Sequence, residues 1–141
     1  VKREARSAKR LILTTPIIDQ AYREKPTCPR CGSNHIETTG SLEMRDDTAA
    51  IQVECRDCHT RWEEIFELDR IVAATGERLP PEASERRKAN PAACPFCGAE
   101  TTFYESGGLE WPFVYQLTHC DNCPWNWDDV YAFTHIENVQ R

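Results

Sequence analysis

Residues 55–71 read Cys55-Arg56-Asp57-Cys58-His59-Thr60-Arg61-Trp62-Glu63-Glu64-Ile65-Phe66-Glu67-Leu68-Asp69-Arg70-Ile71. Residues 120–136 read Cys120-Asp121-Asn122-Cys123-Pro124-Trp125-Asn126-Trp127-Asp128-Asp129-Val130-Tyr131-Ala132-Phe133-Thr134-His135-Ile136. In each, a Cys-x-x-Cys pair is followed by a tryptophan, two acids, an aliphatic residue and an aromatic one. Upstream, Cys28-Pro29-Arg30-Cys31-Gly32 matches Cys94-Pro95-Phe96-Cys97-Gly98. The offset between copies is 66 residues at the first pair and 65 at the second. One small unit is therefore used twice, with a one-residue difference between its two cysteine pairs.

All eight cysteines fall in these four pairs, with 23 residues between Cys31 and Cys55 and 22 between Cys97 and Cys120. That is the spacing of a four-thiolate zinc site. Two sulfurs three residues apart on a tight turn occupy two corners of a tetrahedron. A second turn, returned by a hairpin, fills the other two. Cys28, Cys31, Cys55 and Cys58 are expected to hold one Zn²⁺, and Cys94, Cys97, Cys120 and Cys123 a second. Disulfides are disfavoured because no secretory signal precedes them. Cys94-Pro95-Phe96-Cys97 has the form of a dithiol redox motif, but the strand-to-helix frame such a motif needs is missing. Iron uses the same four thiolates.

Each unit reads as three strands: 36–39, 50–54 and 61–71 in the first copy, and 101–105, 113–119 and 126–136 in the second. In the last strand Trp62, Glu64, Phe66 and Leu68 share one face, as do Trp127, Asp129, Tyr131 and Phe133. The aromatic side is expected to be core, packed on the metal-bearing hairpin. Units this small bury too little apolar surface to fold alone, so the metal supplies the remaining stability. The expected fold is small, metal-stabilised β: two tandem three-stranded ribbons, at 27–72 and 93–141. A basic N-terminal arm (1–26) precedes them; its residues 1–13 can form a short helix, marginal alone, that either orders on a partner or stays disordered. A proline-bearing connector (73–92) joins them, with a short helix around 82–89.

The chain of 141 residues carries a formal net charge of −6, unevenly spread. Residues 1–27 hold seven Lys/Arg against three acids, whereas residues 94–141 hold one basic group against seven acids. A protein gripping a phosphate backbone over most of its surface is basic. Nucleic-acid contact is thus confined to Lys2, Arg3, Arg6, Lys9 and Arg10 of the arm, or to the Arg86-Arg87-Lys88 run, whose plainer reading is a solvated face. No apolar run is long enough to span a membrane. The basic start is not followed by an apolar segment and cleavage site, so a reducing cytoplasmic compartment is expected, or a virion for a viral protein. No glycine-rich phosphate loop is present, and Gly107-Gly108 lacks the strand–turn–helix frame. His35, His59, His119 and His135 form no repeated constellation, and no small-molecule substrate is expected.

The Cys-Pro-x-Cys-Gly knuckle, hairpin, and Cys-x-x-Cys with a tryptophan four residues on resemble the zinc ribbon superfamily. That superfamily includes ribbons of RNA polymerase subunits, of transcription factors, and of small phage and prokaryotic proteins. The first unit, through Arg45-Asp46-Asp47-Thr48 and Cys55-Arg56-Asp57-Cys58-His59-Thr60-Arg61-Trp62, is similar to the C-terminal ribbon of transcription elongation factor S. In that family an acidic pair on the hairpin tip enters the polymerase active site and helps hold magnesium for transcript cleavage. The resemblance would give that place to Asp46 and Asp47, although the proline that follows the family's acidic pair is missing. The second unit has no such pair, and Trp111 and Phe113 at its tip read as a protein contact. Both units depart from the pattern after the last cysteine, where His59 and Pro124 replace the usual glycine. The knuckle at Pro124 must be shaped differently, since proline lacks an N–H and fixes φ.

The expectation is a non-enzymatic adaptor. Its acidic, aromatic-bearing ribbons dock on a protein partner, RNA polymerase or another large assembly, and the basic arm touches nucleic acid. The competing expectations are a structural component of a virion or ribonucleoprotein, a transcript-cleavage accessory acting through Asp46 and Asp47, and an acidic nucleic-acid mimic.

Overall fold

The computed structural model describes residues 19–141 apart from Asp46, Arg78 and Thr101. The arm helix that residues 1–13 can form, with Lys2, Arg3, Arg6, Lys9 and Arg10, lies outside the described residues, as does Asp46. Residues 19–24 are helical. Seven strands follow: β1 (Ile36–Thr38), β2 (Glu43–Arg45), β3 (Thr48–Cys55), β4 (Arg61–Ala73), β5 (Thr102–Glu110), β6 (Phe113–Cys120) and β7 (Asn126–Gln140). A helix, Pro81–Ala89, separates β4 from β5.

The small, mostly β character matches the sequence, but the arrangement of strands does not. The strands are not two separate three-stranded ribbons. They form one hydrogen-bonded sheet of seven strands, in the order β1-β3-β4-β7-β6-β5, with β2 also pairing β3. The reason lies in the third strand of each repeat. β4 has 13 residues and β7 has 15. Both carry adjacent buried residues that point to opposite faces, Ile65 with Phe66 and Val130 with Tyr131. A strand that is apolar on both faces is a poor sheet edge, and in this order neither β4 nor β7 is one.

Contacts divide the chain into two compact units. One contains the described residues up to Ser41 with Ile51–Ile65 and Thr134–Arg141. The other contains Leu42–Ala50 and Phe66–Phe133. β3, β4 and β7 therefore contribute residues to both.

In the first unit β1 pairs antiparallel with the end of β3, Ile36 opposite Cys55 and Thr38 opposite Val53. Its core holds Tyr22, Val53, Trp62 and Ile65. Tyr22 meets Trp62 edge to face at 6.4 Å. In the second unit β2 pairs with the start of β3, Arg45 opposite Thr48. β5, β6 and β7 form an antiparallel meander, with a bulge between Tyr104 and Ser106. Phe66 lies edge to face with both Trp111 and Phe133, each at 5.9 Å. Trp127 packs with Ile71, Ala83, Cys94 and Cys120, so the second tryptophan does rest on the cysteine-bearing hairpin.

The duplication is visible in hydrogen bonds. Leu68 N donates to Asp47 O at 2.9 Å, and 65 residues later Phe133 N donates to Pro112 O at 2.9 Å. Both bonds tie the tip of a hairpin to the third strand of its repeat.

Candidate metal centres

Each first knuckle is a tight turn that ends in a glycine with positive φ, 78° at Gly32 and 83° at Gly98. Only glycine adopts that backbone without steric cost. The turns close identically: Gly32 N donates to Cys28 O and Gly98 N to Cys94 O, both at 2.9 Å. Each second knuckle closes through Cys55 N to Thr60 O at 2.9 Å or Cys120 N to Trp125 O at 3.1 Å. His59 takes the glycine-like conformation, with φ 65°. Its N–H donates to Cys55 O at 2.9 Å, a bond Pro124 cannot reproduce.

The eight sulfurs gather into the two groups expected, and the ligand atoms of each group lie within 4.8 Å of one another. Cys28 to Cys58 and Cys31 to Cys55 are each 3.6 Å. Cys94 to Cys123 is 3.7 Å and Cys97 to Cys120 is 3.6 Å. A metal–sulfur bond of ~2.3 Å sets a tetrahedral edge near ~3.8 Å, whereas a disulfide needs ~2.05 Å. The donor set and its spacing fit one metal ion per group, zinc included, and all eight cysteines are unbridged.

Backbone amides point at the sulfurs, as a ligating thiolate requires. Arg30 N and Cys31 N lie 3.3 and 3.4 Å from Cys28 Sγ. Phe96 N lies 3.4 Å from Cys94 Sγ, and Asn122 N 3.3 Å from Cys120 Sγ. Thr60, fully buried, places its hydroxyl 3.1 Å from Cys58 Sγ. Bonds from that hydroxyl and from the Thr60 amide pull the Cys58 thiol down to about 6. The Ala99 amide and then the Asn122 side chain do the same for Cys97, also to about 6. In both groups the first and third cysteines are buried and the second is exposed.

Two acids are buried in phase with the aromatic face, Glu64 and Asp129. Tyr22 donates its hydroxyl to Glu64, and Trp62 Nε1 donates to Tyr22 Oη at 3.0 Å. Burial pushes the Glu64 carboxyl up to about 7. The equivalent Asp129 accepts from Arg87 Nε and Nη2 at 3.0 and 2.8 Å, from Thr118 Oγ1 at 2.9 Å and from Trp127 Nε1 at 3.0 Å.

The other residues singled out from sequence are scattered. Arg87 is not part of a surface run: it is 1% exposed and locked to Asp129. Arg86 is exposed but bonds Pro95 O at 2.7 Å, and Lys88 pairs with Glu85 at 3.5 Å. Trp111 is half-buried on Phe66 and Phe133. Phe113 lies under the Arg70 guanidinium at 5.2 Å. Asp47 is exposed, with its carbonyl tied to β4. The alternation had placed Glu64 and Asp129 on the aromatic face without singling them out. The spacing of Ala83 and Arg87, four apart on a helix, was the signal for Arg87.

No helix among the described residues is long and apolar enough to cross a membrane. Comparison with protein-family models, curated proteins and solved structures returns no match. What the fold and the site define is a class: a small, mostly β protein with two four-cysteine metal-binding groups.

Proposed function

We propose that this chain is a non-enzymatic tandem zinc-ribbon adaptor that binds one zinc ion in each cysteine group and docks on a protein partner of the transcription machinery. The observation that carries the reading is the closure of both groups. Four thiolates fill all four corners of each tetrahedron and leave no position for a substrate or an activated water. Zinc is preferred because an all-thiolate, amide-bonded site is the form structural zinc takes in proteins of this size. The acidic balance of residues 94–141 favours a protein surface over a phosphate backbone there, which leaves nucleic-acid contact to the basic arm.

Two measurements test it. Elemental analysis of the purified chain is expected to find two zinc ions per molecule, with unfolding when a strong chelator removes them. Affinity capture from the native host, with and without nuclease, is expected to recover RNA polymerase subunits in both arms. Recovery of particle proteins alone would replace the adaptor with an assembly component.

A further inference from the structure

In the second unit the strands alternate. Val114, Gln116 and Thr118 of β6 point inward and are buried, and Tyr115 and Leu117 point to the opposite face, half-buried. On that face a recess of about 260 Å³ opens among Ser106, Gly107, Gly108, Tyr115, Leu117 and Asp128. The register explains it. Gly108 lies opposite Tyr115, while Leu117 lies opposite both Ser106 and Asp128. A Cβ on Gly108 would meet nothing within 4 Å, so the recess exists because that side chain is missing. Gly107 serves packing instead: a Cβ there would meet Tyr115 O at 3.0 Å.

Asp128 closes one end. Its neighbour Asp129 is fully paired with Arg87, but the Asp128 carboxylate has no hydrogen-bond or ion-pair partner among the described residues. It is nonetheless partly covered, and burial, then the charge of Asp129, raises its pKa. A partly desolvated carboxylate without a cation is an unfavourable arrangement that an incoming cation relieves.

We propose that this recess receives an arginine side chain from an extended segment of the partner protein, its guanidinium on the Asp128 carboxylate and its stem along Leu117 and Tyr115. The proposal deepens the adaptor reading and rests on it. Charge decides the occupant: residues 94–141 offer seven acids and a single base, Arg141, so a basic segment is complementary. Chemistry decides the side chain. A planar guanidinium pairs bidentately with a carboxylate and stacks on an aromatic ring, and an apolar stem matches the leucine wall.

The test uses the full, metal-loaded chain and amide NMR. The probe is acetyl-Val-Thr-Arg-Thr-Val-amide, with a control carrying citrulline, which keeps the shape and loses the charge. The arginine peptide is expected to shift Gly108, Leu117 and Asp128 saturably, and to bind at least about tenfold tighter than the control. Asp128→Asn removes the charge and Gly108→Leu fills open space; each is expected to abolish the preference, while Glu110→Gln keeps it. Equal binding of the two peptides, or an undiminished preference in Asp128→Asn, overturns the proposal. Affinity capture separates the two readings. If wild type and Asp128→Asn recover RNA polymerase subunits equally well, the recess falls and the adaptor stands. If neither recovers RNA polymerase subunits, the adaptor reading falls and takes the recess with it.

Discussion

Glu64 keeps its proton in the folded chain up to about 7, against an ordinary value of 4.5. Between those pH values the folded state holds a proton that the unfolded state has released. The contribution of this group is therefore complete below pH 4.5 and is lost as pH rises through about 7. Glu64→Gln removes the titration and keeps the shape. Urea unfolding at fixed metal loading is expected to show wild type losing on the order of 3 kcal/mol relative to that variant across the window. A loss of the opposite sign would mean the carboxylate is charged in the fold. His59 is the second residue-scale case. It holds φ 65° without being a glycine, and its contact with Glu54, Nδ1 to Oε2 at 3.2 Å, is exposed. A left-handed non-glycine residue costs about 1 kcal/mol, and an exposed polar contact returns little of it. His59→Gly is expected to raise the melting temperature with no change in metal content.

At the scale of elements, the helix Pro81–Ala89 would not persist alone. It has nine residues and its N-cap, Pro80, makes no side-chain bond. Tertiary contacts hold it: Ser84 Oγ accepts from Ile71 N at 3.1 Å, and Arg87 reaches Asp129, Ala93 O and the face of Trp127. Removing one member of a buried pair strands the other charge. Arg87→Met is expected to cost about 3–5 kcal/mol, and adding Asp129→Leu to recover a large part, both read by urea unfolding. This contact also marks where the sequence stops being legible. Cysteine spacing foretold the two four-cysteine groups because their assembly follows a local geometric rule. Period-two patterning foretold β4 and β7, and put Glu64 and Asp129 in the buried phase. The partners of those acids lie 42 residues away in both cases, Tyr22 and Arg87, and no local pattern carries such pairing. β2, at three residues, is too short to impose a pattern. The position of β4 and β7 side by side in the strand order is equally non-local.

At the scale of the whole molecule, repeats and compact units do not coincide. The second unit includes Leu42–Ala50 and Phe66–Val72, which belong to the first repeat by sequence. Phe66 meets both Trp111 and Phe133 there. A fragment of residues 93–141 lacks those segments while keeping all four of its ligands. It is expected to bind metal yet give a poorly dispersed amide spectrum, whereas residues 42–141 retain the wild-type pattern around Trp127. A well-dispersed spectrum from 93–141 would show that the second ribbon folds by itself.

The place of Thr134–Arg141 in the first unit bears on how the protein is made. Those residues follow every cysteine of the second group in the chain, yet they belong to the compact unit that contains the first. During synthesis from the N-terminus, Cys28, Cys31, Cys55 and Cys58 leave the ribosome early and are able to capture metal while nascent. The strand segment that finishes their unit arrives only after Cys123 has emerged. Emergence of the first four cysteines and completion of the unit that holds them are thus separated by the synthesis of every residue from His59 to Phe133, and the first unit must wait for the chain to catch up.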